Sequence, residues 1–298
     1  MDDRPIGVFD SGLGGLTVLK EIRGLLPGEN IIYFGDCGRA PYGIKSPETI
    51  VRYTYQNIRF FQDAGVKLLV IACNTSSAYS YDLVAGDLDI PVVEVIRPGS
   101  AAASRATRSK KIGVIGTPAT VASGIYERVI GGIDPSIEVS AKACPLFVPI
   151  AEEGPFWWGH PATRSVAEEY LGWLRGTGID SLVLGCTHYP LLSGVIRGAV
   201  GGGIALISSA QAVAEEVRDR LAAPGAGAGA GAGSGSGSGS GGARGAGEIH
   251  GAPMKGKVSL YTSDSPEKFA PLCRAILGEA SGGEVRRLDI EKYESRLK

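Results

Sequence analysis

The sequence predicts an α/β protein: two doubly wound α/β domains related by a pseudo-twofold axis, with the functional site in the cleft between them. Three observations carry this reading. Short β-rich apolar runs alternate with helix-length segments, the signature of βαβ units and parallel sheets covered on both faces. The opening of "IGVFDSGLGGLTVLKEI" returns in "IGVIGTPATVASGIYERVI", with Ile6 and Ile112 106 residues apart. Finally, "LVIACNTSSA" (69–78) and "LVLGCTHYPL" (182–191) share one grammar, an apolar run ending in cysteine and small polar groups, with Cys73 and Cys186 113 residues apart. One half-sequence thus occurs twice, and each copy carries one strand-end cysteine.

Taken in order, the first strand is Ile6–Phe9. It runs into Asp10, Ser11 and a glycine turn that permits close approach of the backbone to a ligand. Gly12, Gly14 and Gly15 do not fit the dinucleotide fingerprint, and capping of the next helix is the simple role for Asp10 or Ser11. Ile31–Phe34 is the second strand, followed by "GDCGRAPYG", in which Pro41, Tyr42 and Gly43 mark a turn and Cys37 has no evident partner. A helix over Pro47–Asp63 leads to strand Leu68–Ala72 and the Cys73-Asn74-Thr75 corner, then to strand Val92–Val95. Lys111–Ile115 opens the second copy. In it, Thr117 and Thr120 of "GTPAT" mirror Asp10 and Ser11, and helix capping again suffices for them. After strand Ile137–Ala141, Glu152 is one of two adjacent acids and reads as a solvated charge. A helix over Pro161–Arg175 precedes strand Ser181–Leu184 and the Cys186-Thr187-His188 corner. Strand Ala205–Ile207 and helix Ala210–Leu221 follow.

Residues 224–247 are Gly/Ala/Ser low-complexity chain that cannot bury a core, so they are expected to form a flexible insertion. Beyond them "GKVSLYTSD" reads as a strand and "PEKFAPLCRAIL" as a helix, a return to the first domain. The expected division is residues 1–98 with 208–298 as one α/β domain and 99–207 as the other.

Composition narrows the function. In 298 residues, 44% hydrophobic content is ample for a core, and a formal net charge of -1 offers no basic excess for nucleic acid. The five cysteines are odd in number and widely spaced, which suits a reducing compartment better than a disulfide framework. The opening "MDDRPIGVFDSG" has no basic-then-apolar leader pattern, and no apolar run is long enough to span a bilayer. A cytoplasmic protein with a small-molecule ligand, no nucleic acid and no membrane contact is the expectation.

In open parallel sheets the ligand lies beyond the carboxyl ends of the strands, where Cys73 and Cys186 stand. A single cysteine is usually a small buried hydrophobe. Two cysteines with matching polar company, each at a strand-to-helix turn rich in free N–H groups, need another explanation. A redox pair more often uses Cys-x-x-Cys spacing. Zinc wants about four ligands, whereas Cys73, Cys186 and His188 give three, so no metal is assigned. A Cys-His hydrolase needs one thiol. Proton transfer on opposite faces of one carbon, racemisation by two bases, uses both. His188 lies two residues from one candidate base and could promote its thiolate. An amino-acid binding module is the competing class, and the paired thiols and the missing leader argue against it.

The set "IGVFDSGLGGLTV", "YFGDCGRAPYG", "IACNTSSA", "IGTPAT", "CPLFVPIAEEG" and "VLGCTHYPLL" closely resembles the bacterial glutamate racemases in order and spacing. The resemblance implies a cofactor-independent isomerase that interconverts L- and D-glutamate and supplies D-glutamate for peptidoglycan. It further implies two α/β domains flanking a cleft, usually in a homodimer. Cys73 would then deprotonate the D-enantiomer and Cys186 the L-enantiomer, assisted by Asp10, Glu152 and His188. Asp10-Ser11, Tyr42-Gly43, Asn74-Thr75 and Thr187-His188 would bind substrate, with Thr117 and Thr120 as further carboxylate contacts. The related aspartate racemases share the two-cysteine logic. Some members of the family bind DNA gyrase, a property the residues here neither support nor oppose. Arg97 in "EVIRPG" stands where many relatives are expected to have an acid, a change at a surface pair or at a hinge.

Overall fold

The computed structural model describes residues 2–223, 256–278 and 284–293. The insertion expected at 224–247 lies outside the described residues. The first half of the chain runs β1 (Ile6–Asp10), α1 (Leu16–Leu25), β2 (Ile31–Gly35), α2 (Pro47–Asp63), β3 (Leu68–Ile71), α3 (Asn74–Val84), β4 (Val92–Glu94) and α4 (Ile96–Ala106). It continues through β5 (Lys111–Gly116), α5 (Pro118–Ala122), α6 (Ile125–Ile133), β6 (Glu138–Ala143), α7 (Phe147–Glu152), α8 (Pro155–Trp158), α9 (Pro161–Leu171), β7 (Ser181–Gly185), α10 (Ser193–Val200) and β8 (Ala205–Ile207). Last come α11 (Ser209–Ala222), β9 (Val258–Thr262), α12 (Pro266–Leu277) and β10 (Val285–Arg287).

These strands form two all-parallel sheets. The first has the order β10-β9-β2-β1-β3-β4 and the second β6-β5-β7-β8. The duplication is visible in that order: β6-β5-β7-β8 repeats β2-β1-β3-β4, so β5 corresponds to β1 and β7 to β3. Within each sheet the side chains alternate between faces. Ile6, Val8, Tyr33, Val70 and Val93 point into one apolar cluster, while Phe9, Phe34, Leu69 and Ile71 point into another. Ile112, Val114 and Val183 of the second sheet join that first cluster, and Ile115, Leu182 and Leu184 face a third. The largest cluster therefore spans both halves, with Leu19, Ala103 and Val213 of α1, α4 and α11 among its members. Strands buried on both faces read as continuous apolar runs, which is why the sequence marks them well.

Helix boundaries follow local chemistry. α2 starts where Ser46 caps the Thr49 N–H at 3.4 Å, Pro47 takes the first position and Glu48 places an acid in the first turn. α9 stops at Leu171, short of the expected Arg175, because Gly172–Leu174 tighten into a 3₁₀ turn. Neither Asp10 nor Ser11 caps α1. Gly15 holds that position, and the Asp10 carboxylate instead accepts the Gly12 N–H at 3.0 Å, closing the turn. Thr117 does cap α5, accepting from the Thr120 N–H at 3.3 Å. Among the described residues, no helix is long and apolar enough to cross a membrane.

Candidate active site

Cys73 and Cys186 occupy equivalent places. β3 ends at Ile71 and Cys73 is the N-cap of α3; β7 ends at Gly185 and Cys186 follows it. Both thiols are buried. Cys73 Sγ is 3.5 Å from Ser11 Oγ and accepts from the Ser76 N–H at 3.5 Å. Burial, reinforced by the charge of Asp10, pushes the Cys73 thiol up to about 11. Cys186 has different company. Its Sγ lies 3.7 Å from His188 Nδ1, and His188 Nε2 lies 3.1 Å from Glu152 Oε1. Burial alone would lower the imidazole, but the Cys186 thiol and the Glu152 carboxylate outweigh it and hold the His188 pKa well above its usual value. Glu152 is thus not the solvated charge its neighbours suggest: its side chain is 31% exposed and its carboxylate orients His188.

The two halves meet through the residues flanking these thiols. The Thr187 hydroxyl donates to Asp10 Oδ1 at 3.2 Å. Asp10 is fully buried, and its pKa is raised by that burial although His188, the Gly12 and Gly15 N–H groups and Thr187 all favour the carboxylate. Across the cleft, Thr75, Thr117 and Thr120 form a triangle of hydroxyls with edges of 3.0, 3.2 and 3.0 Å. Gly14 presses so closely on the other half that a Cβ there would lie 2.4 Å from Thr187 Oγ1 and 2.6 Å from His188 Nδ1. Glycine is required at Gly43 for the same reason, because a Cβ would come within 2.3 Å of Thr117 Cβ.

The structure thus gathers Asp10, Ser11, Cys73, Asn74, Thr75, Gly43, Thr117, Thr120, Glu152, Cys186, Thr187 and His188 at the facing strand ends. The Tyr42 side chain is committed elsewhere. Its hydroxyl donates to the buried Asp36 carboxylate and accepts from Asn57 Nδ2 at 3.1 Å. Asp36 also receives the Arg39 guanidinium at 2.7 Å and the Ser263 hydroxyl at 2.7 Å. This buried network fixes the loop after β2, so what Tyr42-Gly43 offers the cleft is backbone. Asp36 was missed in the sequence although it follows a strand end, as Asp10 does. Tyr126 was also missed, and its hydroxyl donates to Asn74 Oδ1 at 2.6 Å. Among the described residues, no group of three or more His, Cys, Asp and Glu side chains is arranged to hold a metal ion.

Chemically, the site holds two buried thiols, one beside neutral hydrogen-bonding groups and one beside an imidazole–carboxylate pair, with hydroxyl, amide and helix N-terminal donors between them. That set suits an anionic ligand carrying a carbon acid. Comparison with known proteins agrees with it. The Asp/Glu/Hydantoin racemase family matches residues 13–217. A glutamate racemase from Geobacter metallireducens is 50% identical over 288 residues, covering 97% of each chain. Among solved structures, glutamate racemase from Francisella tularensis in complex with D-glutamate superposes with a TM-score of 0.82 at 33% identity, covering 98% of this chain and 100% of that one. A glutamate racemase isoform from Bacillus anthracis gives a TM-score of 0.84 at 33% identity, covering 97% and 98%.

Proposed function

The chain belongs to the Asp/Glu/hydantoin racemase family, and from that premise we propose that it interconverts L- and D-glutamate by two-base proton transfer, supplying D-glutamate for peptidoglycan. The observation that carries the two-base reading is the placement of Cys73 and Cys186, both buried, at topologically equivalent strand ends on either side of one junction.

In the L-to-D direction the Cys186 thiolate takes the α-proton, forming its S–H while the C–H electron pair stays on the α-carbon. The Cys73 thiol then delivers its proton to the opposite face and is left as thiolate. The reverse direction exchanges the roles. The α-proton is a very weak acid, and general acid–base help is worth only ~10²–10⁴-fold. The remainder falls to preorganised donors that meet the α-carboxylate as charge grows beside it. Asn74, the N-terminus of α3 and the Thr75–Thr117–Thr120 hydroxyls are placed for this. His188, its pKa held above the ordinary value by Cys186 and Glu152, stands 3.7 Å from Cys186 Sγ as the hydrogen-bond partner of that base. Residues 1–98 with 208–298 and residues 99–207 would act as the two closing domains, in a cytoplasmic homodimer.

The test is incubation with L-glutamate in D₂O, with EDTA and without added cofactor, following optical rotation and α-proton loss. Loss of rotation with deuterium at the α-carbon is the expected result. A folded, reduced protein that leaves glutamate unexchanged overturns the proposal, and exchange on aspartate in its place moves the substrate assignment within the family.

A further inference from the structure

Tyr126, in the first turn of α6, is 2% exposed and touches both thiol-bearing corners. Its hydroxyl reaches across the junction to Asn74 Oδ1 at 2.6 Å, and Asn74 follows Cys73 directly. Its ring lies against Gly185, the residue before Cys186: a Cβ at Gly185 would sit 3.1 Å from Tyr126 Cε2 and 2.8 Å from the Ile115 carbonyl oxygen. One side chain of the second half therefore packs beneath one thiol and fixes the neighbour of the other.

The second observation concerns Asn74. Its side chain is 3% exposed, and its Nδ2 is buried with no hydrogen-bond partner in the protein. Buried amide N–H groups are rarely left unpaired, because water has been given up without replacement. A terminal amide has one acceptor end and one donor end. With the tyrosine O–H donating to the acceptor end, only the orientation with Nδ2 turned away from Tyr126 satisfies both groups. The free donor end then suits an anionic oxygen beside Cys73.

We propose that Tyr126 is a positioning residue: reaching across from the second half, it locks the Asn74 amide so that Nδ2 donates to the substrate carboxylate. The inference rests on the racemase reading above and adds a residue to it. Burial, with the nearby Glu94 and Cys186, keeps the phenol well above its ordinary pKa, so Tyr126 stays a neutral donor across the working range. Tyr126 touches neither the α-carbon nor a thiol proton in this scheme, so its effect passes through Asn74.

The test is Tyr126→Phe, which keeps the ring against Gly185 and removes only the hydroxyl. KM for glutamate should rise about tenfold, the effect of one lost hydrogen bond to a binding group, while kcat changes less than about threefold. The upward shift in Tm produced by D-glutamate should shrink by the same weakening of affinity. In an Asn74→Ala background, Tyr126→Phe should add nothing, since the group it orients is gone. A parent chain that does not racemise glutamate overturns the functional reading and this inference together. An active parent with unchanged KM in Tyr126→Phe, or with effects that add independently of Asn74→Ala, overturns the inference alone.

Discussion

The corners at Cys73 and Cys186 stand at equivalent places in the repeated sheet order, and they are chemically unlike. Cys73 caps a helix of 11 residues and is held by neutral groups, the Ser11 hydroxyl and the Ser76 N–H. Cys186 leads instead into a short 3₁₀ turn at Tyr189–Leu192 and has an imidazole–carboxylate pair beside it. The sheet order gives the two thiols equivalent positions, and folding gives them different neighbours. Burial and the charge of Asp10 hold the proton on Cys73, while an imidazole stands 3.7 Å from Cys186 Sγ. Equivalence of position serves a symmetric reaction, yet each turnover must start from an asymmetric pair, one sulfur a thiolate that takes the proton and the other a thiol that gives one.

Breaking either thiol should have the largest effect. Cys73→Ala and Cys186→Ala are each expected to lower racemisation by at least about 10³-fold, since one face of the carbon loses its proton carrier. Isotope exchange then separates the corners. In Cys186→Ala, Cys73 still faces one enantiomer, so D-glutamate should take up deuterium in D₂O without inverting while L-glutamate does not. Cys73→Ala should show the converse. Exchange of both enantiomers in either variant would sink the assignment of one thiol to each face.

The ionic side of the comparison comes next. Glu152→Gln and His188→Asn should each lower kcat/KM by about 10²-fold, the scale of a lost proton-transfer assist. The loss must be equal in both directions, because the equilibrium constant between enantiomers is fixed at unity. The asymmetry therefore belongs in kcat and KM taken separately and in the labelling of Cys186 by iodoacetamide, which should slow in both variants. Unchanged labelling would detach His188 from the Cys186 thiol.

A pH series sharpens the contrast from the Cys73 side. Its labelling by iodoacetamide should be slow near neutrality and climb toward about pH 11. Stability should move the other way. Burial raises Cys73 to about 11 and both Cys144 and Cys273 to about 12, above the ordinary thiol range. The folded state thus binds these protons more tightly than the unfolded chain. That contribution is complete below about pH 9 and is lost as pH rises through about 11 to 12, so Tm should fall steeply across that window. A flat Tm from neutrality to about pH 11 would contradict the burial of these thiols.

The same contrast explains what could be read from residues alone. The core strands are apolar on both faces, so their positions were legible nearly to the residue, whereas β10 was missed: Val285–Arg287 is a three-residue edge strand, two of them arginines. The thiols were legible because two similar corners recur at a fixed interval. Among their partners, His188 was legible from its place two residues beyond Cys186 and Glu152 only through the family resemblance, since folding alone brings it to His188 across 36 residues; Tyr126, which reaches Asn74 across 52, was not legible. A buried tyrosine in an apolar helix looks like ordinary core until its hydroxyl is seen to cross the junction. Asp36 was within reach of the strand-end argument and was overlooked because its loop reads only as a turn.

The smallest expected effect lies at the far end of the helix that Cys73 begins. Arg97 pairs with Asp82 of α3 at 2.7 Å and with the buried Glu94 at 3.4 Å, and its guanidinium covers the Tyr81 ring at 4.4 Å. Its place at the start of α4, where the chain leaves the first sheet, makes it a surface pair on a crossing segment. Glu94 keeps backbone donors without it, since the Ile96 N–H and the Arg97 N–H, the latter at 2.7 Å, both donate to its carboxylate. The Arg97 side chain is 41% exposed, so solvent screens the pair, and Arg97→Gln should cost about 0.5–1 kcal/mol, a fall of roughly 1–4 °C in Tm. Turnover should stay within about twofold of the parent, because the helix N-terminus at Cys73 is set by its own cap and by the first sheet, not by this distant clasp. A loss of activity comparable to that of Glu152→Gln would show that the far end of α3 is coupled to its cap, and that the neutral corner depends on charge after all.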